Sequence, residues 1–549
     1  MHNRRSRLAS SLRLAGPALI GTVPLAGFAF HFDERRTVYR NAYSGTDNPL
    51  DAIRYSYRSI DTFLEVGNFR PVGRFFQSLV NGFAFEAAEA TGLPPHAVHG
   101  ALRLVAVLIL AVLAVRVVTS LMIAAGCRPH PVVLLYPLAL GATLVANGRS
   151  GPLVYFSVVF VGAAALSLAV CLAVTRDDDM RSRRMRARDV LPLALLGAVA
   201  AMYHDLVYVA PPLAAAFMVA RATAAGLPLR RIVHTAAFGR WLSLSVGFLA
   251  IFVPARLEIA GRCARNPCYP PSEISVSGDI PEILATRVLS GAPPSGWILL
   301  ADMVEQYGPA FGMANLVANS LLFLLLAGVA AVTIVAAVRI ASYSADRHAT
   351  SGERATSGDR HGERSPGDGW LRLCASLLLL GATTVLLPSL LVSLSSWVQR
   401  SRIDYGWRDT VLVQVGWSFV ILSTFVAVLG LVATFSRSKR PNQVAAAAAA
   451  TVLGTALSLT LLANARLAQI DRHEPGSAIT NQLATAAISF DPTGTGNAYR
   501  CALIDSYSQL RPENSWVAGP GVREDLDRLT LDRHGLLFCD PDQITGDAG

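Results

Sequence analysis

The stretch 14-LAGPALIGTVPLAGFAFHFDERRTVYRN-41 decides how the chain is organised, because an uncharged apolar run passes directly into a charged segment. The run 14–30 is long enough for a membrane-spanning helix. Asp33 and Glu34 stand at its exit, although a membrane anchor needs no carboxylate there. The pattern therefore predicts a membrane span followed by an acidic pair at the membrane surface.

The composition of the whole chain extends this prediction to many spans. Of the 549 residues, 52% are hydrophobic and 16% are charged, whereas a soluble protein carries roughly a quarter charged residues. The net charge of +10 does not indicate a nucleic-acid partner, because the basic residues stand between apolar segments, where membrane topology explains them. The apolar runs predict an all-α polytopic membrane protein with about eleven transmembrane helices, at roughly 14–30, 101–125, 131–147, 152–175, 190–203, 206–220, 238–254, 309–338, 371–395, 411–434 and 443–463.

Arginine placement predicts the side of the membrane on which each loop lies. With a cytoplasmic N-terminus and eleven spans, the basic segments 4-RRSR-7, 176-RDDDMRSRRMRAR-188 and 437-RSKR-440 all fall on the cytoplasmic side. The first span could instead be a signal peptide, but no small-x-small cleavage site follows it, so a retained helix is favoured. The segments predicted to lie outside are 31–100, 255–308, 396–410 and 464–549.

Two segments differ in composition from the spans. The segment 341–369 contains the polar repeat ATSGER and ATSGDR and is predicted to be a disordered cytoplasmic linker within the membrane domain 1–463. The tail 464–549 is charged, has Gly and Pro turns and contains the strand-like pieces 500-RCALIDSY-507 and 536-LLFC-539. We expect this tail to form a small extracytoplasmic α+β domain.

The cysteines agree with the predicted topology. Cys263, Cys268, Cys501 and Cys539 fall in segments assigned to the outside, where an oxidising environment suits disulfides. Pairing of Cys263 with Cys268 and of Cys501 with Cys539 is favoured, although four cysteines allow three pairings. No metal site is predicted at 263-CARNPC-268, because no His or further Cys lies nearby to complete a zinc site.

The first outer loop contains a helical pattern and two arginines. The stretch 51-DAIRYSYRSIDTFLEVG-67 has apolar residues at helical spacing and predicts an amphipathic helix lying on the membrane surface. Arg70 and Arg74 follow, and Pro71 between them argues against a straight helix through both.

The late outer loop 396-SWVQRSRIDYGWRDT-410 has arginines on the side that the positive-inside preference disfavours. An anionic group such as a lipid phosphate would favour them there, since Arg binds phosphate bidentately. Ordinary salt bridges to Asp404 and Asp409 explain them equally well.

His204 and Asp205 stand at an outer turn between two short spans. Polar groups at membrane depth are usually functional or satisfy one another. A His–Asp hydrogen bond that closes the turn is at least as good an explanation as a binding site.

The layout resembles the GT-C superfamily of membrane glycosyltransferases, which use polyprenyl-phosphate sugars and have an acidic pair just after the first span. The segment 68-NFRPVGRFF-76 resembles a Gly-Arg-Pro element of the bacterial O-antigen glucosyltransferase-like branch, with the order broken into RPVGR. The segment 399-QRSRIDYGWRDTVLVQ-414 resembles a late external loop of that branch, and Tyr203-His204 resembles its Tyr-Gln element.

The chain has no Walker motif, HExxH or GxSxG, which argues against an ATPase, a zinc protease and an α/β hydrolase.

The resemblance implies a GT-C-like fold in the bacterial plasma membrane and sugar transfer to an envelope glycan, lipid or protein acceptor on the outer face. Asp33 or Glu34 would be the general base or would orient the acceptor. Arginines would hold the phosphate of the donor and stabilise its leaving charge. The sequence predicts no definite cofactor and leaves a divalent cation as an open alternative. The residues implied to bind substrate are Arg70, Arg74, His204, Asp205, Arg402, Tyr405 and Arg408.

Two other functions are compatible with the sequence. A transporter or flippase for a lipid-linked glycan would concentrate ionisable groups at the membrane midplane and often has two related halves. A scaffold would use the tail to recruit envelope partners. The clustering of polar residues at one predicted face, without a repeat between halves, favours surface chemistry.

Overall fold

The computed structural model describes residues 2–30, 33–43, 49–127, 131–148, 151–175, 185–265, 273–307, 316–354, 366–401, 407–435, 439–510 and 520–540. Within these ranges the regular structure is helical and no strand forms. An isolated antiparallel bridge joins Ile274 and Ser395.

Twenty α-helices form in these ranges, with short 3-10 segments between some of them. The first ten are α1 (His2–Leu19), α2 (Asp33–Tyr43), α3 (Pro49–Glu65), α4 (Pro71–Thr91), α5 (Pro95–Ala124), α6 (Leu135–Thr143), α7 (Ser157–Val174), α8 (Val190–Tyr203), α9 (Ala210–Ala224) and α10 (Ala236–Cys263). The others are α11 (Ile280–Ser290), α12 (Pro293–Tyr307), α13 (Leu316–Arg354), α14 (Pro366–Ser393), α15 (Ser396–Ser401), α16 (Thr410–Phe435), α17 (Lys439–His473), α18 (Pro475–Ile488), α19 (Gly494–Leu510) and α20 (Pro520–His534).

The described residues include eight helical segments that are long and apolar enough to cross a membrane. Each coincides with one of the eleven predicted spans, so a polytopic helical membrane protein is confirmed and the number eleven is not. The eight segments are Pro95–Ala124, Ser157–Val174, Asp205–Ala224, Ala236–Cys263, Ser320–Arg339, Gly369–Ser393, Thr410–Val432 and Gln443–His473.

The other three predicted spans are helical but short or broken. Helix α1 ends at Leu19 and continues as the 3-10 segment Ile20–Gly27, and helices α6 and α8 have nine and 14 residues. A break frees backbone groups, which need partners inside a membrane protein. Asn464 of α17 supplies them, because its amide donates to the carbonyls of Gly21 and Leu144 and accepts from the Ala146 N–H.

Close backbone contacts hold the membrane helices together. Gly197 of α8 and Gly247 of α10 face each other across the pair. A Cβ atom on Gly197 would lie 2.0 Å from the Leu244 carbonyl oxygen, and one on Gly247 would lie 1.9 Å from that of Ala194. Small residues at a helix crossing let two backbones approach, which is a common way of packing membrane helices.

The first outer segment is mostly helical. The amphipathic helix predicted at 51–67 is α3, which confirms the helix, while its position on a membrane surface stays a prediction. Helix α4 begins at Pro71 with Arg70 as its N-cap residue, so no helix runs through both arginines, which agrees with the expectation from Pro71. Arg74 lies in the first turn of α4.

The predicted disordered linker 341–369 is helical at both ends. Helix α13 continues to Arg354 and helix α14 begins at Pro366, while 355–365 lie outside the described residues. The difference has a simple reason. The residues after the span, 341-ASYSADRHATSGER-354, contain no proline and only one glycine, so they extend a helix that has already been nucleated.

The C-terminal segment is helical where it is described, and the strand predicted at 500–507 is wrong. That stretch lies within α19, and 536–539 has no regular structure. Short apolar runs do not distinguish a strand from a buried helix. The α+β composition is therefore not confirmed. The helices α18, α19 and α20 instead share a buried core with α2 and α4, which includes Phe30, Tyr39 and Phe85.

Candidate functional site

Glu34 lies buried at the start of α2, against the beginning of α7. Its Oε1 accepts a hydrogen bond of 3.1 Å from the backbone N–H of Phe156, the N-cap residue of α7. Its Oε2 lies 3.8 Å from Nη2 of Arg103, and both side chains are buried. The positive end of the α7 dipole and the guanidinium both attract the carboxylate and hold it in place.

Arg103 links this carboxylate to the end of the first apolar run. Its Nη1 donates to the carbonyls of Phe28 at 2.9 Å and Leu25 at 3.4 Å. A charge inside a span is costly and needs such partners. The arginine therefore fixes the direction in which the chain leaves the first apolar run and enters α2.

Phe156 has a backbone conformation that few residues adopt. Its φ of 44° and ψ of 36° put it in the left-handed region, and it is the non-glycine residue with positive φ in the described part of the chain. Such a conformation costs of order 1–3 kcal/mol and often occurs at functional sites. Here it turns the Phe156 N–H toward Glu34 and lets α7 begin immediately afterwards.

His204 lies buried on the other side of the first turn of α7. Its ring meets that of Phe160 edge to face, with 5.3 Å between the centroids. Phe160 also contacts Phe156, so one aromatic row joins the surroundings of Glu34 to those of His204.

Two N–H groups point at the ring nitrogens of His204. Nη1 of Arg70 lies 2.8 Å from Nε2, and the backbone N–H of Leu206 lies 3.2 Å from Nδ1. A neutral imidazole accepts at one nitrogen only, so the two contacts compete, and a protonated ring would satisfy neither. Burial, reinforced by the charge of Arg70, lowers the pKa of His204 well below its ordinary value of 6.5. The ring is therefore neutral at physiological pH.

Gly73 brings Arg70 to His204. A Cβ atom at position 73 would lie 2.1 Å from the carbonyl oxygen of Tyr203, so only glycine allows the start of α4 to reach the end of α8. Tyr203 is held on a second side by Gly162 of α7, where a Cβ atom would lie 2.3 Å from the tyrosine hydroxyl. Three helices thus meet at one residue.

Further charged groups surround this junction. Asp205 opens the 3-10 segment Asp205–Val209, within electrostatic reach of Arg70, Arg256 and Arg408. Arg74 stacks over the ring of Phe63 of α3, and Arg408 lies 4.7 Å from the ring centroid of Trp407. The junction is therefore a mainly cationic group with one carboxylate, which suits an anionic ligand such as a phosphate.

Asp409, next to Arg408, belongs to a different arrangement. Its carboxylate pairs with Arg287 of α11 through Nη2 at 2.7 Å and Nε at 3.2 Å, and neither side chain has any exposed surface. Sequence reasoning offered Asp409 as a partner for the nearby outer arginines and missed Arg287. Arg287 and Glu282 are the charged residues of 280-IPEILATRVLS-290, and no pattern in this stretch marks Arg287 as the partner of Asp409.

The structure places five of the nine predicted site residues near one another, namely His204 with Arg70, Arg74, Asp205 and Arg408. Glu34 is linked to this group indirectly, because it accepts from the Phe156 N–H, Phe156 contacts Phe160, and Phe160 contacts His204. Asp33 is the first residue of α2, but its side chain is outside the description, and Arg402 and Tyr405 lie outside the described residues. Arg103 was missed as a site residue, although an arginine inside a predicted span is itself an indication of function.

The disulfide predicted between Cys501 and Cys539 is confirmed. Cys263 is also disulfide-bonded, and Cys268 lies outside the described residues. Cys127, Cys171 and Cys374 are not part of a disulfide.

Metal binding has no candidate in the described side chains, where no group of three or more His, Cys, Asp or Glu is placed to hold an ion. The Asp33 side chain is not among the described ones, so this finding does not test whether a divalent cation binds at the acidic pair.

Comparison with known proteins adds no assignment. No protein-family model matches the chain, and no curated protein is significantly similar to it.

Proposed function

We propose that the chain is a membrane glycosyltransferase that moves a sugar from a polyprenyl-phosphate donor to an envelope glycan, lipid or protein acceptor. The observation that carries the proposal is the junction at the start of α7. There Glu34, a buried carboxylate of the acidic pair, is linked through Phe156 and Phe160 to an Arg–His–Asp group that comes from distant segments of the chain. The GT-C-like layout of the sequence supports the same function.

The contacts of Glu34 favour a division of roles within the acidic pair. Glu34 already accepts from the Phe156 N–H and faces Arg103, so protonating it would break a buried arrangement. We assign it to positioning α2. Asp33, one residue earlier, is then the general base that takes the proton of the acceptor hydroxyl.

The arginines would receive the donor. Arg70 and Arg408 act on the same Asp205–His204 group, and a guanidinium binds a phosphate with two parallel hydrogen bonds. As the sugar leaves, negative charge grows on the phosphate, and fixed cations stabilise it. Neutral His204 orients Arg70 by accepting its hydrogen bond at Nε2 and adds no positive charge that would repel the guanidinium.

The proposal includes a location. The catalytic face is the outer face of a bacterial plasma membrane, with a cytoplasmic N-terminus and an extracytoplasmic C-terminus. The arginine distribution of the sequence supports these sides. Nucleic acid has no part in the function.

Single substitutions in the acidic pair test the assignment. Cells that carry Asp33→Asn, Glu34→Gln or the control Asp51→Asn are compared at matched protein levels, and their envelope glycans are analysed by mass spectrometry. Asp51 is a matched acidic control because it lies exposed on α3 and pairs only locally with Arg54. We expect Asp33→Asn to remove one hexose-sized increment and Asp51→Asn to change nothing.

A transfer assay on purified protein measures the size of the effect. Loss of a general base lowers kcat by about 10²- to 10⁴-fold. An unchanged rate in Asp33→Asn would exclude Asp33 as the base. The same assay with and without a chelator measures whether transfer needs a divalent cation.

One observation favours a transporter as the second candidate. Helix α8 ends at Tyr203, and a 3-10 segment with ionisable residues precedes α9, which is how discontinuous helices surround substrates in transporters. Movement of a lipid-linked glycan across liposomes, without any transfer in detergent solution, would support that function instead.

A further inference from the structure

A cavity of about 490 Å³ lies between the start of α5 and the C-terminal helices, away from the junction at α7. His96 of α5 lines one side, and Asn481, Gln482 and Thr485 of α18 line another. Tyr499 of α19 closes a third side, and its side chain is half exposed. The volume falls within the range of small-molecule sites.

The polar lining has unused hydrogen-bonding capacity. Among the described residues, Nδ1 of His96 and Oδ1 of Asn481 are buried and have no hydrogen-bond partner. Buried polar atoms of native proteins are nearly always paired, by protein, by water or by a ligand. Gln482 adds a second amide, so the cavity offers donors and acceptors together.

The charges that line the cavity are already engaged. The Arg500 guanidinium lies 3.9 Å from the ring centroid of Phe490 and donates to the carbonyls of Phe538 and Asp491. The Asp491 carboxylate accepts from the N–H of Thr493. One cation and one anion, each with its own partners, offer no net charge to a ligand. Paired amides and an accessible aromatic face suit a neutral polyhydroxylated ring.

The cavity is built onto the same elements as the junction. His96 and Arg103 are seven residues apart on α5, which is about 10 Å along a helix, and Arg103 faces Glu34. On the other side, Asp471 at the end of α17 accepts from the Ala29 N–H and from Ser477 of α18. The cavity wall and the acidic pair therefore share one framework.

We propose that this cavity binds a neutral sugar residue of a glycan acceptor. That the bound sugar belongs to the acceptor rests on the proposed transfer function. That the cavity binds a sugar does not depend on that function. The acceptor class is then a glycan chain rather than a single lipid or protein side chain, because a second sugar unit must reach the cavity.

Binding to the full-length protein tests this directly. The probes are the neutral and the acidic oligosaccharides released from the envelope of the producing cells, measured by equilibrium dialysis and saturation-transfer NMR. The detergent must have no sugar head group, since a maltoside would compete. We expect the neutral fraction to bind and the acidic fraction to bind at least about tenfold more weakly.

Substitutions in the lining test whether the sugar binds in this cavity. Gln482→Leu removes an amide from the lining, and Thr485→Trp fills the cavity from its rim. Gln509→Leu is the matched control, because Gln509 lies exposed on α19 outside the lining. We expect each lining variant to weaken binding by about tenfold, which corresponds to about 1.4 kcal/mol, and the control to bind as wild type does.

Three results would overturn the inference: no binding of the neutral fraction, stronger binding of the acidic fraction, or equal binding by the lining variants and Gln509→Leu. Unchanged thermal unfolding in the variants excludes misfolding as a cause of lost binding. The Asp33→Asn variant separates the two proposals. It should bind sugar as wild type does while failing to transfer it, so normal transfer with normal binding would reject the catalytic assignment alone.

Discussion

The buried pair of Asp409 with Arg287 and the buried pair of Glu34 with Arg103 differ in geometry. In the first, here called the closed pair, the carboxylate and the guanidinium meet at 2.7 and 3.2 Å, and neither side chain has any exposed surface. In the second, here called the open pair, Oε2 of Glu34 lies 3.8 Å from Nη2 of Arg103, while Oε1 accepts a backbone N–H. The first arrangement uses the full fork of the guanidinium and leaves nothing for a ligand. Burial of an acid is therefore a poor guide to chemistry, and the geometry of its pairing is a better one.

Breaking the closed pair should have the largest effect. Asp409→Asn leaves the Arg287 charge buried without a counter-charge, and we expect it to lower the free energy of unfolding by roughly 3–5 kcal/mol. Denaturant unfolding of the purified protein in detergent measures this. The double variant Arg287→Met with Asp409→Leu is the control and should recover most of the loss, because it buries no charge. Wild-type stability in Asp409→Asn would contradict a structural role for this pair.

Breaking the open pair should cost less. Glu34→Gln keeps an oxygen for the Phe156 N–H, and Arg103 keeps its two carbonyl acceptors. We expect a loss of roughly 1.5–3 kcal/mol, the contribution of a hydrogen bond to a charged group. The same unfolding measurement applies. If Glu34→Gln destabilised the protein as much as Asp409→Asn does, the two pairs would be equivalent and the distinction between them would fail.

Moving the start of α4 away from the end of α8 should lower stability by a comparable or smaller amount. It should also break the contact between Arg70 and His204. Gly73→Ala forces α4 away from the Tyr203 carbonyl and Arg70 away from His204, at a cost of about 1–3 kcal/mol for overpacking. Gly261→Ala on α10 is the control, because no atom lies within 4 Å of its added Cβ. We expect glycan transfer to fall in Gly73→Ala only. Equal transfer in the two variants would separate the Arg70–His204 contact from function.

The smallest effect concerns pH. The folded-state pKa of His204 lies well below 6.5, so the unfolded chain binds a proton near pH 6.5 that the folded chain does not. The contribution of His204 to the free energy of unfolding is therefore complete above pH 6.5. Below that pH it falls by up to about 1.4 kcal/mol per pH unit. His204→Gln should flatten that part of the pH profile of unfolding. A slope identical to that of wild type would show that His204 is not buried neutral.

The sequence predicts the membrane helices well because an apolar run of sufficient length has few alternatives. All eight candidate spans coincide with predicted ones. It also predicts that no straight helix passes through Arg70 and Arg74, and that Cys501 pairs with Cys539, since each follows from a strong local or covalent constraint. The C-terminal segment was misread as partly strand, because a run such as 500-RCALIDSY-507 fits both periods over so few residues.

The sequence indicated several of the polar residues that the structure places near one another, but it did not indicate how they pair. The polar residues that interrupt apolar segments, such as His204 and Asp205, were visible in the sequence. The partner of each depends on which helices cross, and that depends on contacts such as Gly73 against Tyr203, which leave no periodic trace. Arg287 and Asn464 show the same limit, because a single polar residue in a helix reveals that it needs a partner without revealing which one.

The core shared by α2 and the C-terminal helices has a consequence for biosynthesis. The Tyr39 hydroxyl donates to the carbonyl of Thr480, which is 441 residues later in the chain. At 5–20 residues per second, a ribosome needs roughly 20–90 s to make that interval. Throughout this time Phe30, Val38 and Tyr39 lack the partners that α18, α19 and α20 supply, and earlier neighbours such as Phe85 cover them only in part. The bilayer or a chaperone must shield the remaining apolar surface. Truncation of the last 70 or so residues would make this transient exposure permanent, since the shielding helices α18, α19 and α20 end at His534.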